Sequence, residues 1–428
     1  MERLYQYLWK HSMLGRNLML DDGRELTILV PGILNENAGP DFFSAKLRIG
    51  DSTWIGNVEI HVKASDWYKH RHNDDPAYDS VILHVVAIRD GVVKRRDGSI
   101  IPQVCVTFPI EFYSLYASLS ESIKDVKCTP YIQTLSSIVI EDWLSTLAIE
   151  RMHVKSQRIL ELNRQCDGDW ERTCFISFAR ALGFGLNSDP FEMLARSVPL
   201  NYLARHSDNL FQLEALLFGQ AGMLDMSCHI FDEYYQGLCR EYYFLAKKYG
   251  LKPLHSGIWK YSKTRPGNFP HRRIALLAQY IYGGFSLMRA IIETKGDEDK
   301  ARELFAMELD GYWKTHTQFG IEADRVPVGL SRGSENLLLI NLVAPLVYSY
   351  CAYVGDLEGA ESALSLWMDL ESEKNSYIRQ WEKTGIKCKD AMHSQALLQL
   401  RKNYCDMGKC LDCRFGNNLL RNSISRCR

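Results

Sequence analysis

Two periodicities divide the chain. Up to about residue 107 the apolar positions alternate or run in short blocks, and from about Ile140 onward they recur every three to four residues. In the first part, Leu4–Trp9 predicts a short helix and Leu18–Val30 a hairpin turning at Asp21-Asp22-Gly23. Phe42–Ile49 alternates around Ala45, Leu47 and Ile49, turns at Gly50-Asp51 and returns as Trp54–Val62. A polar, His-rich segment, Ser65–Asp79, precedes Val81–Ile88, whose unbroken apolar run has the length of a buried strand. Val92–Val106 then predicts an edge hairpin turning at Asp97-Gly98.

The second part reads as helices. Apolar stripes cover 140–165, 191–204, 210–223, 229–247, 274–292, 299–316, 336–354, 357–373 and 392–404, with no fixed repeat length. The expected class is therefore α+β: a mixed-sheet domain over 1–107, an α-helical domain over 108–382 and a basic, cysteine-rich module over 383–428. Leu337–Val354 is nearly long enough to span a bilayer. It contains Asn341, Pro345 and Ser349 and lies inside a helical series, so a helix buried in protein is expected and no membrane partner. Arg265, His271, Arg272 and Arg273 lead into one helix and Ser331-Arg332-Gly333-Ser334-Glu335 into another; each is either a phosphate contact or a plain cap.

Composition sharpens this only when it is divided. The 428 residues carry 51 Lys+Arg against 52 Asp+Glu and are 46% hydrophobic, which excludes a disordered chain and a non-specific nucleic-acid coat. Residues 1–107 are nearly neutral, with 13 basic and 14 acidic side chains, whereas 383–428 hold ten basic and three acidic ones. That basic end leaves a local phosphate-binding surface open. MERLYQYLWK has no apolar core of a secretory signal behind it, so a cytoplasmic protein with reduced thiols is expected.

The chemistry concentrates on the second hairpin. Asp41 follows Gly39-Pro40, and Glu59, His61 and Lys63 share one face of the returning strand while Val58, Ile60 and Val62 share the other. Ionisable groups lining a probable central strand are costly unless they hold a metal or act as acid and base. Beyond them, Asp66-Trp67-Tyr68-Lys69-His70-Arg71-His72 offers His70 and His72 as substrate contacts, the plain alternative being a solvated turn anchored by Trp67. His84, alone in an apolar strand, reads as a core histidine.

Pro40-Asp41 followed by Glu59-Ile60-His61 resembles the PD-(D/E)XK nuclease superfamily, and the order of helix, strands, helix and strand is similar to its restriction-endonuclease-like core. The resemblance implies that Asp41 and Glu59, with Glu36 as an additional acid, ligate Mg²⁺ or Mn²⁺, and that the protein cleaves phosphodiester bonds in DNA or RNA. His61 stands where that superfamily has lysine. Either His61 or Lys63 is then expected to activate water, or the copy is inactive and the protein is a non-catalytic nucleic-acid-binding scaffold. The longer text NAGPDFFSAKLRI, GNVEIHVKASDWYKHRHNDDPAYDSVILHVV and RPGNFPHRR resembles a full-length bacterial family of unknown function, which implies no activity.

Five of the twelve cysteines fall in the basic end. Cys388, Cys405, Cys410 and Cys413 have the spacing of a Zn²⁺ or 4Fe-4S ligand set, with His393 or Cys427 as substitutes for Cys388. Few apolar residues lie between 405 and 416 to fold that segment by themselves.

Overall fold

The computed structural model describes residues 1–14, 18–35, 37–120, 126–225, 232–262 and 264–426. By contacts the chain forms two compact units, Met1–Ile140 with Arg401–Arg428, and Glu141–Leu400.

The first unit is a mixed sheet. Helix α1 (Glu2–Lys10) is followed by β1 (Leu18–Met19), β2 (Glu25–Val30), β3 (Ile33–Leu34), β4 (Phe42–Ile49) and β5 (Ser52–Lys63). Then come the short helix α2 (Asp66–Lys69), β6 (Val81–Ile88), β7 (Gln103–Cys105), α3 (Ile110–Ser120) and α4 (Thr129–Ile132). The strands lie in the order β1-β2-β4-β5-β6-β7, with β3 paired to β4. β4 and β5 are antiparallel, whereas β5, β6 and β7 run parallel. The expected edge hairpin over 92–106 is reduced to a single bridge, Lys94↔Ile100, and β7 continues the parallel edge. Val93 and Ile101 lie in the buried cluster around Trp67 and stay joined to each other, the Ile101 amide donating to the Val93 carbonyl.

The two faces of the sheet are chemically unlike. Val58, Ile60, Leu83 and Val85 join Leu4, Tyr5, Leu8 and Trp9 of α1 in the main core. On the other face a small cluster of Ala64, Trp67, Tyr78, Val81, Val86, Val93 and Ile101 backs the charged positions of β5. Strand alternation therefore separates Glu59 and His61 from the α1 core, as their spacing requires.

A β-bulge sets what lies opposite them. Ala45 pairs with Gly56, but Phe42 pairs with Val58, so β4 holds one residue more than β5 between these pairs. Ser44 takes φ 56°, and its amide donates to Asn57 Oδ1. Gly32 makes the bulge possible from the other side, because a Cβ there would sit 2.5 Å from the Phe43 carbonyl. Continued one residue beyond β4, this register sets Asp41 opposite Glu59 rather than Ile60, and a one-residue slip would reverse its face.

The second unit is helical, opening with Ser137–Gln165, within which the division falls. The expected stripe at 274–292 is two helices, Pro270–Ile281 and Leu287–Glu293, parted by Gly283 and Gly284 at positive φ. The stripe at 299–316 ends as a helix at Glu303 and continues as a tight turn and the strand His316–Gln318. Arg332–Val354 is apolar and long enough to cross a membrane, yet 61% of its most apolar window is buried within the protein. Arg272 is buried and donates to the carbonyls of Trp313, His316 and Pro327, so its guanidinium holds the fold together instead of facing a phosphate. Ser331 caps its helix through the Ser334 amide.

Candidate functional site

The site forms where β5 leaves the sheet and the crossover to β6 folds back over it. Glu59 and His61 are only 5% and 1% exposed. Asp41 N–H donates to Glu59 Oε2 at 3.0 Å, and Ile60 N–H donates to Asp41 Oδ2 at 3.0 Å. Each acid is thus held by the other's backbone neighbourhood. Gln6 on α1 donates to Asp41 Oδ1 at 2.9 Å, and Glu2, one turn earlier on the same helix, adds negative potential at both acids.

Two imidazoles approach the remaining Glu59 oxygen, and a third meets the first of them. His61 Nε2 lies 3.4 Å and His72 Nε2 3.3 Å from Glu59 Oε1. His61 Nε2 is also 3.2 Å from His70 Nδ1, and one ring nitrogen from each of the three histidines falls within 4.8 Å of the others. The turn that presents His70 and His72 is a Schellman cap on α2: Arg71 N–H donates to the Tyr68 carbonyl, His72 N–H to that of Trp67. The cap position is Arg71 at φ 61°, where glycine is usual, so the backbone stores strain beside the site. His72 stacks on Tyr78 at 3.8 Å between centroids and on His61 at 5.3 Å.

Behind His61 stands His84, fully buried, with its Nε2 2.8 Å from His61 Nδ1. β6 brings it there by pairing His84 with Glu59 in parallel register. Its own Nδ1 has no hydrogen-bond partner among the described residues.

Burial dominates the electrostatics. It pushes the Asp41 and Glu59 carboxyls well above the usual range, with the negative charge of Glu59 adding to the shift at Asp41 and that of Glu2 to both. It lowers His61 to about 3, helped by His72 and His70, and His84 to about 3, helped by His61 and His72. His72 is lowered for the same first reason. His61, His72 and His84 thus favour the neutral imidazole and the two acids are reluctant carboxylates, and among the described residues no Lys or Arg forms an ion pair with either acid.

The sequence-expected residues fall as follows. Asp41, Glu59, His61, His70 and His72 come together. Lys63 is exposed at the end of β5, where its charge acts on Asp90. Glu36 and Cys427 lie outside the described residues. Cys388 belongs to the helical unit, its thiol donating to the Asp390 carbonyl at 3.8 Å. Cys405, Cys410 and Cys413 belong to the sheet unit. Sequence reasoning missed Gln6, Glu2, Tyr78 and His84; for His84 the one available signal was a polar residue in an otherwise apolar strand.

Fold and site together define an α+β protein, a mixed-sheet unit carrying a buried imidazole–carboxylate cluster and a second, helical unit. The chain belongs to the family described as "Protein of unknown function (DUF2851)", which matches residues 2–376. No curated protein and no solved structure matches it.

Proposed function

We propose that the sheet unit is a metal-dependent phosphodiesterase acting on nucleic acid, with a divalent ion held by His61, His70 and His72 and with Glu59 beside two of them. The observation that carries this reading is donor spacing. The ligand atoms of His61, His70 and His72 all lie within 4.8 Å of one another, close enough to share one ion, and Glu59 Oε1 is 3.3 and 3.4 Å from two of them. An imidazole-rich set suits Mn²⁺, Fe²⁺ or Zn²⁺, whereas Mg²⁺ prefers oxygen donors, so of the two ions implied by the nuclease resemblance Mn²⁺ fits better.

When bound, such an ion polarises a phosphoryl oxygen and makes a water more acidic. The chain's own residues do the rest. His61 Nδ1 and His84 Nε2 share a hydrogen bond of 2.8 Å; with the proton on His61 Nδ1, the His61 Nε2 lone pair is free for the ion. Asp41, fixed by Gln6 and the Ile60 amide, is the second carboxylate and is positioned to take a proton from water. His70 is exposed, and Lys69 and Arg71 beside it supply positive charge on the open side, where a phosphate would approach.

The test uses the full chain, stripped with a chelator and reloaded separately with Mn²⁺, Fe²⁺, Zn²⁺ or Mg²⁺, then incubated with single- and double-stranded DNA and RNA. Cleavage that depends on the ion and disappears in Glu59→Gln and Asp41→Asn protein is the expected result. Salt-sensitive binding with every substrate intact, unchanged in Asp41→Ala, would instead support a non-catalytic scaffold and overturn the reading.

A further inference from the structure

The helix Glu233–Tyr249 of the second unit has one buried face and one open face. Asp232 caps its start by accepting from the Tyr235 amide, and Gly250 at φ 65° ends it. Tyr235, Leu238, Cys239, Tyr242 and Leu245 turn inward, at the three- and four-residue spacing of a single stripe. They pack on the helix Leu210–Gln220 so closely that a Cβ on Gly219 would sit 2.1 Å from the Tyr242 ring. The opposite face carries Arg240, Tyr243, Phe244 and Lys247, which share one side of the helix at i, i+3, i+4 and i+7. Tyr243 and Phe244 are 64% and 62% exposed. Two adjacent large rings left in water between two cations are not accounted for by the packing of this unit.

Charge on this face is of one sign. From Arg240 to Lys252 there are four cations and one acid. That acid, Glu241, is already engaged: it accepts from Gln212 Nε2 at 2.8 Å, Gln212 Oε1 lies 2.6 Å from His206 Nδ1, and His206 Nε2 lies 2.8 Å from the Tyr249 hydroxyl. Tyr249 stacks on Tyr202 with 4.4 Å between centroids. Lys248 Nζ stands 4.9 Å over the Tyr249 ring and the Arg205 guanidinium 5.9 Å over that of Tyr202. The end of the helix thus presents cations on aromatic rings that hydrogen bonds fix from beneath. Among the described residues Arg205, Arg240, Lys247 and Lys248 form no ion pair with an acid.

From this arrangement we infer that the open face of Glu233–Tyr249 binds single-stranded nucleic acid, with Tyr243 and Phe244 stacking on unpaired bases and Arg240 and Lys247, one turn to either side, meeting phosphates. Rings that take any base and cations that track a backbone are the two elements of sequence-tolerant strand binding. The helical rise sets the two cations about 10 Å apart along the axis, the run of roughly three stacked nucleotides. A duplex keeps its bases stacked on one another and offers these rings nothing. An anionic membrane is the poorer match, since it calls for a broad apolar stripe and the one Leu between Arg240 and Tyr249 is buried. The assignment goes beyond the phosphodiesterase reading and does not need it, because neither the ion nor the sheet unit enters the argument.

The experiment is fluorescence anisotropy of the full chain in chelator, where ion-dependent cleavage does not intervene. The probes are labelled polythymidine and polyuridine strands and a DNA duplex, with flotation on phosphatidylserine vesicles alongside. Both strands are expected to bind more tightly than the duplex. Tyr243→Ala and Phe244→Ala should each weaken strand binding by roughly 5- to 150-fold, whereas Tyr243→Phe, which keeps the ring, should retain it. Arg240→Gln with Lys247→Gln should lower the slope of log affinity against log salt by roughly 0.7 per charge removed. All four side chains are on the surface, so unchanged thermal unfolding is expected to accompany the loss. Wild-type strand affinity in both alanine variants, a duplex bound as tightly as a strand, or vesicles held through Tyr243 and Phe244 while strands are ignored each overturns the assignment. Ion-dependent cleavage is measured separately, so cleavage together with wild-type strand binding in both alanine variants would sink this inference alone.

Discussion

Asp41 and Glu59 hold each other across the start of β4: the Asp41 amide donates to the Glu59 carboxylate, and the Asp41 carboxylate accepts from the amide that follows Glu59, both at 3.0 Å. This reciprocal pair depends on the extra residue of the bulge. Without it the acids would stand on opposite faces.

Gly32→Ala should therefore be costly. Its φ is 89°, and the new methyl would meet the Phe43 carbonyl at 2.5 Å, both of which the bulge cannot relieve without moving. A loss of roughly 2–4 kcal/mol in urea unfolding is expected, against about 1 kcal/mol for Gly23→Ala, where φ is also positive but the space is open. Equal losses at the two glycines would show that the bulge contact carries no special weight.

The ion-free protein should lose stability on the alkaline side. Above the ordinary histidine value of 6.5, His61 and His84 are neutral folded or unfolded. Asp41 and Glu59, with raised values, still retain protons in the folded chain that the unfolded chain has released. The folded state binds more protons there, so unfolding free energy falls as pH rises. On the acid side the sign is opposite for His61 and His84. Their folded values of about 3 mean that the unfolded chain takes up protons first, and their contribution is lost as pH falls below 6.5. Denaturation in chelator at about pH 6.5 and about pH 8.5 should give the lower stability at the higher pH. In Glu59→Gln most of that drop should vanish; an undiminished drop would exclude Glu59 as its source.

Among the described residues the one hydrogen bond of the His84 ring is to His61, so replacing His84 tests the orientation of the His61 ring. His84→Phe is expected to weaken Mn²⁺ or Zn²⁺ binding by about 10–100-fold while the ligands remain. Calorimetric titration reads this directly. An unchanged affinity would make His84 a packing residue only.

Arg71→Gly should relieve strain. Glycine adopts the left-handed cap at little cost, so a gain of roughly 0.5–1 kcal/mol is expected, with ion affinity retained because His70 and His72 keep their turn. Thermal unfolding with and without ion separates the two effects. Destabilisation would mean that the Arg71 side chain, and not its backbone, matters.

Much of the site could be read from the chain. Alternation alone set Glu59 and His61 on one strand face, and proximity in sequence suggested His70 and His72. What pairs with that face depends on contacts without local pattern. The bulge at Phe43–Ser44 has no turn residue to announce it, and the parallel register that brings His84 behind His61 arises across a crossover. Lys63 followed the alternation but sits where the strand ends, so it reaches Asp90 and solvent rather than the cluster. In the helical unit, stripes predicted helices well but missed the glycine pair at 283 and 284, because apolar periodicity continued through it.

β5 and β6 are parallel neighbours, so the chain between them must return the length of the sheet before pairing again. That return carries His70 and His72, while the strand it left carries Glu59 and His61. An ion shared by both would act as a removable cross-link, closing the crossover as a loop. Taking the ion away would then loosen the connection between two central strands, so protease sensitivity of residues 64–80 should report on occupancy even where no substrate is known.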